Sequence, residues 1–379
     1  MAAVKTFDDL EIRRPELAQA YLQMLQAQAG RPLALFAPRR VGKTYFLDQD
    51  LTPAARSAGY VPVYADVWLQ RASPLDAINH SLEEALDDAT VPASAIGKTA
   101  KTAVKKLGGL GASVEFGDAP SRRALPAQAE LRLDALVTRL SAAADKPVLL
   151  MLDEIQSVAE HPQAQAIVAT LRAVLQKHKR KVHAVFTGSS QEALAQMMSA
   201  SGGPMYQFAQ LVDFPSLGDE YLDLLAQHFA KVHKGKRLEL ADLRRAFDHI
   251  GRKPALMKDI VKAMSAEGSA DVDLAMQRIA QDDRQVAGWR ALLASLAPLE
   301  RELLVLVAQG RSPMAKDTLL ALSKHSGFEP TVAKIRTAVE RLKRAGILAK
   351  QGAGFAIEDR LFADYIAGRG QPSTAARLR

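Results

Sequence analysis

The chain has 379 residues, of which 48% are apolar and 24% charged, so it is long enough for two or three domains with buried cores. It lacks cysteine, the roughly 18–20 consecutive apolar residues of a membrane helix, and an N-terminal apolar segment of the secretory type. These features exclude disulfides, thiol catalysis and cysteine-ligated zinc, and we expect a cytoplasmic protein. The net charge is +8, and residues 298–379 hold 14 Lys/Arg against 8 Asp/Glu, which indicates either a nucleic-acid partner or a solvated basic surface.

Short apolar runs alternate with helical patterns through the first half of the chain, as in a parallel α/β sheet. The runs predicted as strands are residues 33–37, 61–67, 147–152 and 181–187. A glycine-bearing loop leads from the first strand into a helix that begins near Lys43, and a further helix is predicted from about Leu75 to Asp88. A basic, glycine-rich insertion at about 91–126 follows, and it is either an exposed hairpin or a surface for nucleic acid or a partner.

The second half of the chain is predicted to be helical up to a final unit. Apolar spacing predicts lid helices at about 221–231, 240–250 and 254–266. From Pro298 onward, three helices precede two short strands joined by a glycine turn, which is the order of a winged helix-turn-helix. The predicted domains are an α/β domain at 1–214, a helical lid at 215–297, a winged helix-turn-helix domain at 298–368 and a frayed tail at 369–379.

The loop after the first strand, Ala37 to Thr44, reads APRRVGKT. In such a loop a glycine lets backbone N–H groups approach phosphate oxygens, a lysine neutralises the phosphates, and a threonine hydroxyl binds Mg²⁺. Gly42, Lys43 and Thr44 therefore predict a site for a nucleoside triphosphate. Ala37 stands where the pattern has its first glycine, and alanine fits there without strain only at a negative φ.

Two further strands are predicted to end at the same site. The third strand ends in Asp153 and Glu154, and parallel strands present their carboxyl ends at the ligand-binding edge of an open sheet. Asp153 is predicted to hold Mg²⁺ together with Thr44, and Glu154 to polarise the attacking water. The fourth strand ends in hydroxyl groups, among them Thr187 and Ser189, which can contact a γ-phosphate or orient that water.

Four segments, PRRVGKT, LDEIQ, FTGSS and GRKPALM, resemble the archaeal-type ATPase family, a STAND-related branch of the AAA+ P-loop ATPases. The resemblance runs from about Phe7 to Tyr365. It implies a parallel P-loop sheet of the ASCE type with helices on both faces, followed by an all-α lid and a winged helix-turn-helix domain. It also implies that ATP is the nucleotide and Mg²⁺ the metal.

The same resemblance implies roles for individual residues. Catalytic roles fall to Lys43, Glu154 and Ser189, with Thr187 as the alternative sensor, and Mg²⁺ is held by Thr44 and Asp153. Nucleotide contacts are implied for Pro38, Arg39, Arg40, Val41, Gly42, Lys43, Thr44, Tyr45, Asp153 and Pro254. The segment that begins at Arg13 is similar to an entry motif near the adenine, and Arg252 replaces an expected glycine, either as a second sensor or as a residue facing solvent.

The basic C-terminal unit has two interpretations. In a DNA reader, the third helix enters the major groove and the hairpin meets the phosphate backbone. Phosphate contacts are then predicted for Lys334, Arg336, Arg341, Lys343, Arg344 and Lys350. Alternatively, these residues form the solvated face of an amphipathic helix, and the domain packs against the nucleotide domain.

The sequence thus predicts an Mg²⁺-dependent ATPase that couples its nucleotide state to binding of duplex DNA. The alternative is a switch with slow or absent turnover that recruits a protein partner or associates with itself. The source of an arginine finger is not identifiable in the sequence, because a neighbouring subunit can supply one.

Overall fold

The computed structural model describes residues 6–28, 30–70, 72–90, 124–188, 207–234, 236–326, 331–351 and 354–368. The tail at 369–379 and nearly all of the predicted insertion at 91–126 lie outside these residues. The chain forms two compact units: an α/β unit of Arg13–Arg39 and Lys43–Pro215, and a helical unit of Met1–Ile12, Arg40–Gly42 and Ser216–Arg379. Within the described ranges, no helix combines the length and the apolar character needed to cross a membrane.

The α/β unit contains a five-stranded parallel sheet with the strand order β2-β3-β4-β1-β5. The strands are β1 (Leu33–Phe36), β2 (Val61–Asp66), β3 (Val148–Asp153), β4 (Val182–Gly188) and β5 (Gln210–Asp213). The helices are α1 (Pro15–Ala27), α2 (Lys43–Phe46), α3 (Thr52–Ser57), α4 (Pro74–Thr90), α5 (Ala129–Ala143) and α6 (Ala164–Lys177). A π-helical turn, Leu47–Leu51, joins α2 to α3, and a 3-10 helix, Ile155–Glu160, follows β3.

The order of the strands determines where the predicted nucleotide site lies. All six residues of β3 are buried, because β3 lies between β2 and β4 in the sheet. On one face, Val148, Leu150 and Leu152 pack among apolar residues of α4, α5 and α6. Apolar burial of this kind is the main stabilising term for such a sheet. Since β4 is inserted between β1 and β3, the carboxyl ends of these three strands meet at one edge.

The helical unit begins with a 3-10 helix, Phe7–Asp9, and continues after the α/β unit. Its helices are α7 (Asp219–Val232), α8 (Leu240–His249), α9 (Pro254–Glu267), α10 (Val272–Gln281), α11 (Asp283–Ser295), α12 (Pro298–Ala308), α13 (Lys316–Ser326), α14 (Val332–Arg344) and α15 (Arg360–Ile366). An antiparallel hairpin of β6 (Leu348–Gln351) and β7 (Gly354–Ile357) follows α14. One apolar cluster runs from α7 to α15, and a smaller one joins α12, α13 and α14.

The elements that the sequence analysis did not predict individually are β5, α1, α3, α5, α6, α10, α11 and α15. β5 has four residues whose burial alternates, so it offers no apolar run. In α11 the only fully buried side chain is that of Trp289, which leaves little helical periodicity to detect. The predicted strands and the predicted helices are present, with ends that differ by at most two residues.

Candidate functional site

The loop between β1 and α2 has positive φ angles at two of its residues. Gly42 has a φ of +92° and Arg40 a φ of +65°, so the chain passes twice through the left-handed region within three residues. Ala37 keeps a negative φ and donates its N–H to the carbonyl of Gly188 at 3.4 Å. Alanine in place of the first glycine therefore introduces no backbone strain.

The side chain of Lys43 lies inside this loop. The residue is 6% exposed, and its Nζ donates to the carbonyl oxygens of Ala37 at 2.6 Å and Pro38 at 2.9 Å. The loop thus holds a positive charge at its centre, beside the first N–H groups of α2. Both features favour an anion at this position.

Four groups surround the carboxylate of Asp153 at the end of β3. Its Oδ2 accepts hydrogen bonds from the hydroxyls of Thr44 at 2.8 Å and Tyr64 at 3.0 Å. Its Oδ1 accepts the N–H of Glu154 at 3.0 Å and the hydroxyl of Thr187. The residue is only 2% exposed, so these bonds replace the hydrogen bonds to water that the carboxylate loses on burial.

The predicted metal ligands are in direct contact with each other, since Thr44 donates to Asp153. A hydroxyl oxygen and a carboxylate oxygen at this spacing are hard donors of the kind that Mg²⁺ prefers. Asp66 and Asp153 occupy paired positions at the ends of β2 and β3. Burial, together with the charges of Asp153 and Glu154, raises the pKa of Asp66 above its usual value. The donor set therefore fits a divalent cation.

Glu154, the predicted general base, follows β3 in a left-handed conformation with φ +55° and ψ +39°. A non-glycine residue pays about 1 kcal/mol or more for this conformation. The side-chain amide of Gln156 donates to the Glu154 carboxylate. Backbone and side chain of Glu154 are thus both held in defined positions.

Thr187 and Ser189 were the two alternatives for the sensor at the end of β4. Thr187 is fully buried and its hydroxyl contacts Asp153, which places it between the loop of β1 and the end of β3. Ser189 lies outside the described residues.

The remaining residues of the loop differ in exposure. Pro38 and Arg40 are exposed, Val41 is buried and Tyr45 is partly buried. The guanidinium of Arg39 lies over the indole ring of Trp68, 5.2 Å from its centroid. This cation–π contact fixes one side of the loop against the segment that follows β2.

Two further predicted residues, Arg252 and Pro254, lie near the start of the helix α9. Arg252 has a φ of +51° and Gly251 a φ of +73°, so Arg252 occupies a backbone position that favours glycine. Its side chain is 43% exposed and forms an ion pair with Asp248 at 2.6 Å, in agreement with the solvent-facing alternative. Pro254 begins α9, and its carbonyl accepts the hydroxyl of Tyr221 at 2.6 Å.

The six basic residues predicted to contact DNA lie on α14 and β6. Lys334, Arg336, Arg341, Arg344 and Lys350 are exposed. Arg341 lies 3.9 Å from Glu300, whereas Lys343 is largely covered, bonded to Glu340 at 3.1 Å and 6.0 Å from the centre of the Phe355 ring. The set is therefore not a uniform basic surface.

Tyr64 is the one residue of the Asp153 network that the sequence analysis did not single out. Its signal is a polar side chain in the strand VPVYAD, two residues before Asp66 and on the same face. Burial and the Asp153 carboxylate raise the pKa of Tyr64, so its hydroxyl stays protonated and donates.

Comparisons with known proteins identify the fold. Neither a family model nor a curated protein matches the sequence. A Walker-type ATPase of Pyrococcus abyssi aligns with a TM-score of 0.62 and 15% identity, over 95% of this chain and 96% of that one. The ORC2 protein of Aeropyrum pernix aligns in its ADPNP–ADP complexes with a TM-score of 0.54, 16% identity, and 94% and 91% coverage. The ADP form of the same protein aligns with a TM-score of 0.53 and 16% identity, over 96% of each chain.

Identities of 15–16% show a common fold and nothing narrower. Together with the parallel sheet and the phosphate-loop geometry, they confirm the predicted fold class. This chain has an AAA+ P-loop α/β fold followed by a helical C-terminal region.

Proposed function

We propose that this protein binds ATP with Mg²⁺ at the edge of the sheet where β1, β3 and β4 end, and that it hydrolyses the ATP. The observation that carries the proposal is the hydrogen bond from Thr44 to Asp153, which joins two predicted motifs 109 residues apart in the chain. The A. pernix ORC2 protein, which has the same fold, was solved with ADPNP and ADP, and this supports an adenine nucleotide.

The roles of the residues follow from their positions. Lys43, which now bonds to two loop carbonyls, is the charge that meets the phosphates, and Gly42 allows their close approach. Thr44 and Asp153 hold Mg²⁺, which when bound stabilises negative charge on the phosphate oxygens. Glu154 accepts the proton of the attacking water, and Thr187 or Ser189 orients that water.

We also propose the narrower assignments of the sequence analysis. These are the archaeal-type, STAND-related branch, the division at residues 214 and 297, and a winged helix-turn-helix that binds duplex DNA. The order of α12, α13, α14 and the β6–β7 hairpin supports the winged helix, and the exposed basic residues of α14 support DNA as its ligand.

The second candidate is an ATP-dependent switch with little turnover that acts on a protein partner. The observation that favours it is the restraint on Glu154. Its carboxylate is bonded to Gln156 while its backbone is left-handed, so a general base in this position has little freedom to reorient. Both candidates require the same ATP site.

The first test measures ATP affinity and steady-state hydrolysis with Mg²⁺, with and without duplex DNA. Lys43→Ala is expected to bind ATP roughly 10- to 100-fold more weakly, because a hydrogen-bonded charge partner of the phosphates is lost. Glu154→Gln is expected to keep wild-type ATP affinity and to lower turnover by about 10²-fold or more, because it removes the proton acceptor.

Lys146→Ala provides a control, since Lys146 is an exposed lysine of the same unit and its loss should leave ATP affinity and turnover unchanged. Wild-type affinity in Lys43→Ala would contradict the proposed site. Tight binding with negligible turnover in the wild type, indifferent to DNA, would instead favour the switch.

A further inference from the structure

Tyr64 and Thr44 donate to the same oxygen of Asp153. The Thr44 hydroxyl lies 2.8 Å from Oδ2 and the Tyr64 hydroxyl 3.0 Å from it. Tyr64 reaches this oxygen because β2 and β3 are parallel neighbours with Asp66 opposite Asp153, and Tyr64 lies two residues earlier on the same face of β2. A long aromatic side chain spans that diagonal distance.

The two donors to Oδ2 differ in what a bound cation does to them. A threonine hydroxyl that ligates a metal does so through a lone pair and can still donate its O–H to Asp153, but the metal then sets the orientation of that hydroxyl. Tyr64 is not a predicted ligand, so the metal does not set the position of its hydroxyl. Its bond to Oδ2 therefore orients the carboxylate independently of the cation.

The opposite side of the carboxylate is fixed independently. Oδ1 accepts the N–H of Glu154 at 3.0 Å and the hydroxyl of Thr187. Tyr64 therefore completes a frame in which each carboxylate oxygen of Asp153 keeps at least one protein donor that is not a predicted metal ligand. Partners of this kind, which bind a ligand residue and not the metal, set metal affinity by fixing the ligand's orientation.

We propose that Tyr64 is a positioning residue that orients the Asp153 carboxylate for a divalent cation and so sets the Mg²⁺ concentration that ATP binding requires. The inference rests on the proposed function of the site. A purely structural role for Tyr64 predicts an effect on stability and none on the Mg²⁺ requirement.

The test compares Tyr64→Phe with Tyr60→Phe. Tyr60 immediately precedes β2 and is buried, and its hydroxyl is hydrogen-bonded to His183 Nδ1 at 3.0 Å. Its substitution therefore removes an equivalent hydrogen bond that is remote from Asp153. Binding of a fluorescent ATP analogue is titrated with Mg²⁺, and again in EDTA without metal. Melting temperatures of both variants are measured alongside.

Tyr64→Phe is expected to raise the Mg²⁺ concentration for half-maximal binding by about 10-fold, the effect typical of losing a partner of a metal ligand. Binding in EDTA should stay unchanged, and Tyr60→Phe should keep the wild-type Mg²⁺ requirement. In an Asp153→Asn background, adding Tyr64→Phe should have no further effect, because the carboxylate it orients is gone.

Three results would overturn the inference: a wild-type Mg²⁺ requirement in Tyr64→Phe, an equal shift in Tyr60→Phe, or a further loss in the Asp153→Asn background. These outcomes leave the proposed function intact, provided that the wild type binds ATP with Mg²⁺. If the wild type shows no Mg²⁺-dependent binding of ATP, the proposed function itself is wrong.

Discussion

Non-glycine residues with a positive φ occur in three of the motifs of this chain: Arg40, Glu154 and Arg252. In each of them the contact between the Cβ and the residue's own backbone costs about 1–2 kcal/mol. This strain also guides the choice of substitutions. Glu154→Gln keeps the Cβ and the length of the side chain and so isolates the charge, whereas Glu154→Gly would relax the backbone at the same time.

Arg252→Gly is expected to stabilise the helical unit by about 0.5–1 kcal/mol. Relief of the left-handed strain exceeds the loss of the exposed ion pair with Asp248, which is worth only about 0.3–0.5 kcal/mol. The gain is reduced because glycine makes the unfolded chain more flexible. The check is a calorimetric melting temperature above that of the wild type.

Arg252→Ala separates the two terms, because it removes the ion pair but keeps the Cβ in the left-handed position. The expected order of melting temperatures is Gly above wild type above Ala. A glycine variant that melts at or below the alanine variant would show that strain at residue 252 is negligible.

At the scale of elements, the helix after the phosphate loop is interrupted for an identifiable reason. Pro53 lies at the start of α3 and has no N–H, so the carbonyl of Gln49 has no backbone donor four residues ahead. The N–H of Thr52 bonds instead to Leu47, five residues back, which forms the π turn. This turn buries Asp50, whose side chain is 0% exposed and accepts Arg13 Nε at 2.7 Å.

Arg13→Ala is expected to destabilise the α/β unit by about 2 kcal/mol. Losing the partner of a fully buried carboxylate costs about 3–5 kcal/mol, and the figure is lower here because Arg13 is itself 48% exposed. Adding Asp50→Asn should recover much of the loss, since a neutral amide tolerates burial better than a charge. The measurement is the melting temperature of both variants.

Lys177→Ala removes a comparably short ion pair, with Asp134 at 2.6 Å, from the surface of the same unit. Its expected cost is below about 1 kcal/mol. If Arg13→Ala melts no lower than Lys177→Ala, burial of Asp50 does not control the stability of this turn.

The sequence alone predicts the elements that carry long apolar runs. It does not predict elements and contacts whose position depends on the whole sheet. β1, β3 and β4 were predictable because each run ends at a motif. β5 was missed because an edge strand of four residues has no run. The contact of Tyr64 with Asp153 was not predictable, because it requires the parallel register of β2 on β3, which no local pattern encodes.

At the scale of the whole molecule, the charge is +8 and six of those charges belong to residues 298–379. On α14 the buried residues Ile335, Val339 and Leu342 define the inner face, which leaves Lys334 and Arg336 on the two flanks of the outer face. Thr331 caps this helix by accepting the N–H of Lys334 at 3.3 Å. The first turns of α14 thus combine a fixed helix end with exposed positive charge, as DNA phosphates require.

If α14 lies against duplex DNA, Lys334→Ala combined with Arg336→Ala should remove two phosphate contacts. The slope of log affinity against log salt concentration is then expected to fall by about 1.8, since each contact releases about 0.9 counterion from B-DNA. Lys343→Ala should change the slope little, because Lys343 is bonded to Glu340. The measurement is DNA affinity at several salt concentrations. Lys146→Ala combined with Lys177→Ala lowers the net charge equally in the α/β unit, so equal slopes for the two double variants would contradict a specific role for α14.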